Sequence, residues 1–171
     1  RDGSVLLTLA AENASDLFGR HASGAGDVDH DGHADVIVGA PGNSANGAGA
    51  GRAYVFSGKD GHTLLTLSGE HAQDAFGSAV TGRASATQFL LVVGAGSGGP
   101  HHTGRAYVYD ALTERAKFTI EADSTGAALA QMFVAVPGDV DGDGTDDVFA
   151  SDWANAARGP WSGHGGDVGN Q

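Results

Sequence analysis

The segment Asp2-Gly3-Ser4-Val5-Leu6-Leu7-Thr8-Leu9 returns 58 residues later as Asp60-Gly61-His62-Thr63-Leu64-Leu65-Thr66-Leu67. Asp16-Leu17-Phe18-Gly19 returns at the same distance as Asp74-Ala75-Phe76-Gly77. Further on, Val38-Gly39-Ala40 is matched by Val93-Gly94-Ala95, and Gly51-Arg52-Ala53-Tyr54-Val55-Phe56 by Gly104-Arg105-Ala106-Tyr107-Val108-Tyr109. A third, more worn copy runs through Phe118-Thr119-Ile120 and Met132-Phe133. A chain that repeats itself in this way is an array of like units that cover one another's apolar faces. Each unit offers four short strand candidates: the stretch after Phe-Gly, then Val36 to Gly39, Ala53 to Ser57 and Leu64 to Leu67. Four strands per unit of this length mark a propeller blade. The expected fold is therefore all-β, a partial β-propeller of four-stranded antiparallel blades. Residues 1–10 read as the outer strand of a preceding blade, 11–67 and 68–121 as full blades, 122–158 as an incomplete one and 159–171 as an irregular tail. Phe18, Phe76 and Phe133 recur at one point of each unit and are expected between blades.

Two of the units carry a dense acidic loop. Asp27, Asp29, Asp31 and Asp35 occupy positions one, three, five and nine of Gly26-Asp-Val-Asp-His-Asp-Gly-His-Ala-Asp35, with Gly32 at position six. Asp139, Asp141, Asp143 and Asp147 repeat the spacing, with Gly144 at position six. Alternate residues of an extended or turning backbone point the same way, so these carboxylates can converge while the glycine makes the turn. A hard cation that takes six to eight oxygens, Ca²⁺, suits such a cage, and the carbonyl of His33 at position seven would add a ligand. An EF-hand would need flanking helices and a glutamate at position twelve. Val38 and Ala150 stand there, and the following Val36-Ile37-Val38-Gly39 reads as a strand. The middle unit has Thr81-Gly82-Arg83-Ala84-Ser85-Ala86-Thr87-Gln88 in place of the acids, and no calcium is expected there. Arg83 is expected to take the place of the missing charge.

A net charge of −12 opposes nucleic acid and anionic membrane surfaces. Nine of the 21 acidic residues lie in the two loops, so bound cations would relieve much of the self-repulsion. There is no cysteine for a disulfide framework. No apolar run reaches the ~18 to 20 residues of a membrane-spanning helix. The chain begins at Arg1 and reads as part of something longer.

Phe18-Gly19, an Asp-x-Asp-x-Asp-Gly-x-x-Asp loop and Gly39-Ala40-Pro41, in that order, resemble the FG-GAP repeat of the integrin alpha-subunit β-propeller and of many secreted or surface proteins. The resemblance extends over residues 2 to 152. It implies that the calcium loop joins the first and second strands of a blade, that seven blades close a ring, and that the ligands are Asp27, Asp29, Asp31, Asp35 and the His33 carbonyl in one loop and Asp139, Asp141, Asp143, Asp147 and the Thr145 carbonyl in the other. In the third unit, Phe149-Ala150-Ser151-Asp152 replaces Gly-Ala-Pro.

Other motifs are weaker. Leu91 to Gly99 contains G-x-G-x-x-G after a strand, but Pro100 to Gly104 leads into the Tyr107 strand and not into a helix, which refuses a dinucleotide site. The histidines are scattered, where zinc needs three or four convergent ligands. No G-x-S-x-G elbow or nucleophile beside a base is evident, and no catalytic residue is nominated. Asn13-Ala14-Ser15 is a glycosylation sequon, relevant only in a eukaryotic secretory setting. The expectation is a non-catalytic, calcium-binding module for extracellular protein or glycan binding or for cell adhesion, the alternative being an accessory propeller of a secreted phospholipase-type hydrolase. Loops without a twelfth-position glutamate should need millimolar calcium, which points outside the cell or to its envelope. Open blade edges are expected to favour self-association.

Overall fold

The computed structural model describes residues 2–85, 88–113, 115–123 and 126–154, together with the backbone of 162–166. Three antiparallel sheets follow one another along the chain. The first is β1 (Ala22–Gly26), β2 (Asp35–Ala40), β3 (Arg52–Phe56) and β4 (Thr63–Ser68), in the order β1-β2-β3-β4. The second repeats that order with β5 (Phe76–Ala84), β6 (Phe89–Ala95), β7 (Arg105–Asp110) and β8 (Arg115–Glu121). The third has β9 (Leu129–Gly138), β10 (Asp147–Asp152) and β11 (Ser162–Gly166), in the order β11-β10-β9. Each is a meander, as its short β-branched strands and glycine turns require. The described residues contain no helix.

The inner strands lie side by side, β1 against β5 and β5 against β9, so the sheets fan out from one axis as blades do. Alternate residues of each strand face opposite neighbours. Ile37, Val55, Leu65 and Leu67 of the first blade join Phe76, Val80, Leu91 and Val93 of the second in one buried cluster. Leu90, Val92, Ala106 and Val108 turn the other way and meet Leu129, Val134, Val148 and Ala150 of the third. Apolar area hidden at these two boundaries, worth roughly 25 cal/mol per Å², holds together sheets that have no independent core.

The phenylalanine of the Phe-Gly pair packs edge-on against two aromatics of β3 or β7. Phe18 lies 6.0 and 5.9 Å from the rings of Tyr54 and Phe56, and Phe76 lies 5.3 and 6.4 Å from Tyr107 and Tyr109. The linker entering each blade is latched to the same strand. Arg52 donates to Glu12 at 2.9 Å, and Arg105 donates to Glu70 at 3.1 Å, with the Tyr107 hydroxyl donating to the same carboxylate.

Three expectations need correction. Phe133 is not the third blade's counterpart of Phe76; it is 51% exposed. Leu129, fully buried, holds that place: its N–H donates to Thr103 as that of Phe76 donates to Ala50, and its backbone crowds Gly104 as Phe76 crowds Gly51. The motif pair in this blade is therefore Leu129-Ala130, and a register based on aromatic identity lands four residues late. Secondly, the tail is not wholly irregular. Ser162–Gly166 pairs antiparallel with β10, from Val148 opposite Gly166 to Asp152 opposite Ser162. Ladder bonds come from the backbone, so a glycine-rich segment can supply them without the Arg-x-Tyr-Val-Tyr pattern of β3 and β7. Residues 155–161 and 167–171 lie outside the described residues. Thirdly, Val5 to Leu9 forms no strand, because no described strand runs beside it to complete a ladder. Leu9 instead packs, as Phe18 does, against the buried cluster of Val38, Ala40, Tyr54 and Phe56.

Candidate metal centre

Both acidic loops are the hairpin turns between the first and second strands of a blade, β1–β2 and β9–β10. In each, a glycine ends the first strand in the left-handed region, Gly26 at φ 83° and Gly138 at φ 104°. The sixth-position glycines, Gly32 at φ 88° and Gly144 at φ 92°, turn the chain back where a side chain would strain it. The ninth-position aspartate opens the second strand, so the sheet fixes it.

The first loop is wound around its own carboxylates. Asp27 accepts from the N–H groups of Asp31 and Gly32, both at 3.0 Å. Asp29 accepts from Asp31 at 3.1 Å, and Asp31 from His33 at 2.9 Å. Asp35 is buried and accepts from Val28 at 2.6 Å and from Gly58, in the β3–β4 turn, at 2.9 Å. The second loop repeats this network. Asp139 accepts from Gly142, Asp143 and Gly144, Asp141 from Asp143, Asp143 from Thr145 at 2.8 Å, and Asp147 from Val140 at 2.7 Å.

These bonds bring three of the four acids together in each case. Carboxylate oxygens of Asp27, Asp29 and Asp35 lie within 4.8 Å of one another, and so do those of Asp139, Asp141 and Asp147. Asp31 and Asp143 fall outside the triads. Asp31 turns to the His33 N–H and faces Lys59 at 3.7 Å, and Asp143 accepts from both the N–H and the hydroxyl of Thr145. His33 and Thr145 are thus placed on the turns by their N–H groups. Three carboxylates at such spacing repel one another in the absence of a cation, and the backbone donors hold them there. An all-oxygen set of this kind suits a hard cation better than zinc or copper, which favour nitrogen and sulfur ligands. Among the described residues no histidine joins a group of this kind.

The middle hairpin closes differently. Its ladder runs on to Ala84 opposite Phe89 and carries no carboxylate. Ala84 lies against Gly26 of the first blade, while Arg83 lies against Gly138 of the third. Arg83 does not stay in its own loop, as expected, but donates through Nε to Asp146 at 3.1 Å. Asp146 is 7% exposed, and its second oxygen is buried without a hydrogen-bond partner. This cross-blade pair and the Glu12–Arg52 and Glu70–Arg105 latches escaped sequence reasoning. Only the recurrence of Glu and Arg in successive units hinted at the latches.

Residues 18–56, which span Phe18, the first acidic loop and β1 to β3, match the family model described as FG-GAP repeat. The first blade is similar to an FG-GAP repeat. No curated protein matches the chain. FG-GAP repeats are as a rule non-catalytic propeller modules and occur in extracellular or cell-surface proteins. Beyond the matched residues, the second sheet repeats the strand order of the first without the acids, and the third carries the acids with Leu129-Ala130 where the first two have Phe-Gly. The G-x-G-x-x-G run of the second sheet starts in the last two residues of β6 and continues into the turn, which leads to β7 and not to a helix.

Proposed function

We propose that this chain is a non-catalytic, calcium-stabilised binding module of FG-GAP propeller blades that works outside the cell or at its envelope. The observation that carries this reading is the pair of aspartate triads, held by the same backbone hydrogen bonds at equivalent turns of two blades. Asp27, Asp29 and Asp35 would hold one ion and Asp139, Asp141 and Asp147 the other. Calcium, when bound, would offset two of the three negative charges of each triad and pin each hairpin to the rim. The residues do the rest: Val28 and Gly58 N–H groups orient Asp35, Val140 orients Asp147, and the sixth-position glycines keep the turns tight. Rigid hairpins on one rim make a platform for a protein or glycan ligand. Cages that draw on three converging carboxylates, with no bidentate glutamate at position twelve, belong with the weak extracellular calcium modules of about 10⁻⁴ to 10⁻³ M affinity.

Calorimetric titration of calcium into the chain tests the reading. Two sites of roughly millimolar to submillimolar affinity are expected, with Asp27→Asn removing one and Asp139→Asn the other. Absence of binding, or loss of both sites from either single change, overturns it.

A further inference from the structure

The two acidic loops share their internal hydrogen bonds but differ in what holds them from outside. In the first, Gly58 donates to Asp35 and Lys59 faces Asp31, both from the β3–β4 turn of its own blade, and the loop meets the second blade through uncharged contacts, His30 edge-on to Phe89 at 4.9 Å and Gly26 against Ala84. Its eighth position is Ala34. The second has an acid, Asp146, at that position, buried beside Arg83 of the preceding blade. The guanidinium also lies near Gly138, 3.4 Å from where a side chain there would begin.

We infer that Arg83 is a positioning residue for the second calcium loop, tying it across the blade boundary so that ion binding at Asp139–Asp147 and the seating of the third blade on the second are coupled. The inference rests on the calcium reading above. Asp146 immediately precedes Asp147, one of the three converging carboxylates. With Arg83 in place, the positive charge is spent on Asp146, and the pair presents little net charge to the triad. Without it, a carboxylate is left in the boundary with neither oxygen partnered, a costly state that is relieved by turning Asp146 out to water. That movement carries Asp147 with it and opens the triad. By linkage, an ion that holds Asp147 in place also holds Asp146 on Arg83. The acid-free hairpin of the middle blade is thus used as a strut for its neighbour's loop.

The test is calcium titration of the full chain with the first loop silenced by Asp27→Asn, with and without Arg83→Gln, alongside thermal melting in chelator. Arg83→Gln is expected to weaken the second site about tenfold, a typical coupling, and to leave the first site unchanged when the second is silenced by Asp139→Asn. In an Asp146→Asn background, Arg83→Gln should weaken it no further. The metal-free melting temperature should fall with Arg83→Gln alone and less with both changes. Unchanged or tighter binding at the second site with Arg83→Gln overturns the inference while leaving the calcium reading intact. A parent chain silent to calcium ends both. If Arg83→Gln does not fold, Arg83→Lys, which keeps the charge and loses the planar fork, carries the test: severalfold weaker binding at the second site is expected, and equal binding overturns the inference.

Discussion

The carbonyl oxygen of Ala130 lies so close to the α-carbon of Gly94 that no side chain fits between the two blades at this point. Gly77 and Gly39 make the same contact one boundary earlier. To present its carbonyl in this way the residue after Phe76 or Leu129 takes a left-handed backbone, Gly77 at φ 87° and Ala130 at φ 54°. Glycine does so freely and alanine does not. Ala130→Gly is therefore expected to stabilise the chain by about 1 kcal/mol, seen as a higher denaturant midpoint with an unchanged slope. Gly94→Ala should be strongly destabilising, since the backbone of Ala130 blocks its Cβ.

The buried anchor of each boundary can be found by truncation. Phe76→Ala empties a fully buried site and is expected to cost ~3 to 5 kcal/mol, and Leu129→Ala ~2 to 5 kcal/mol. Phe133→Ala, at an exposed ring, should cost less than about 1 kcal/mol. Equilibrium unfolding of the three variants separates the register found in the structure from one in which Phe133 anchors the third blade; a loss at Phe133 as large as at Phe76 would reject the former.

That difference shows what a repeat sequence displays and what it conceals. The acidic loops were legible because convergent oxygens on a tight turn need aspartate and glycine at fixed spacing, and few other residues can replace them. The strands of the first two blades were legible because burial on both faces demands runs such as Val36-Ile37-Val38 and Leu91-Val92-Val93. The entry to the third blade was not, because it needs only a large apolar group and a backbone turned the right way, and Leu129-Ala130 supplies both without looking like Phe-Gly. β11 was missed because a ladder asks nothing of Ser162-Gly163-His164-Gly165-Gly166 beyond its peptide groups. Arg83 and Asp146 are 63 residues apart, and no local pattern joins them. Asp31 and Asp143 lie outside the triads although Asp29 and Asp141 make the same bond to the N–H two residues on, so the spacing does not tell which of the acids converge.

Alkaline pH should weaken the second blade through its tyrosines. Burial pushes the Tyr107 phenol up to about 12, and burial likewise raises Tyr109, against about 10 in an unfolded chain. A raised folded-state value means that the native form keeps a proton that the unfolded form gives up. The associated stability is complete below pH about 10 and is lost as pH climbs toward about 12. Denaturant midpoints across that window should fall, and Tyr107→Phe with Tyr109→Phe should flatten the decline even though the first change also removes the hydroxyl from Glu70 and so lowers stability at neutral pH. An equally steep decline in the double variant would place the titrating groups elsewhere.

Calcium should also act on stability, and in a way that separates the two loops. An ion bound only by the folded chain adds about 1.4 kcal/mol per site at ten times its dissociation constant. For a chain of this size that raises the melting temperature by about 3 to 6 °C for each site. Chelation should lower melting accordingly, and sodium chloride at matched ionic strength should recover only a small part, because screening eases repulsion among the nine loop carboxylates without bridging them. Asp27→Asn and Asp139→Asn should each remove about one site's share of the calcium response, and together abolish it. The two shares differ in where they act: the first loop bears on the boundary of the first and second blades, through His30 on Phe89 and Gly26 on Ala84, whereas the second is tied through Asp146 to Arg83 and its ion should delay separation of the second and third blades. Hydrogen exchange on β9 would then slow with calcium in the Asp27→Asn chain and stay unchanged in the Asp139→Asn chain; equal slowing in both would show that the two hairpins stabilise the array alike.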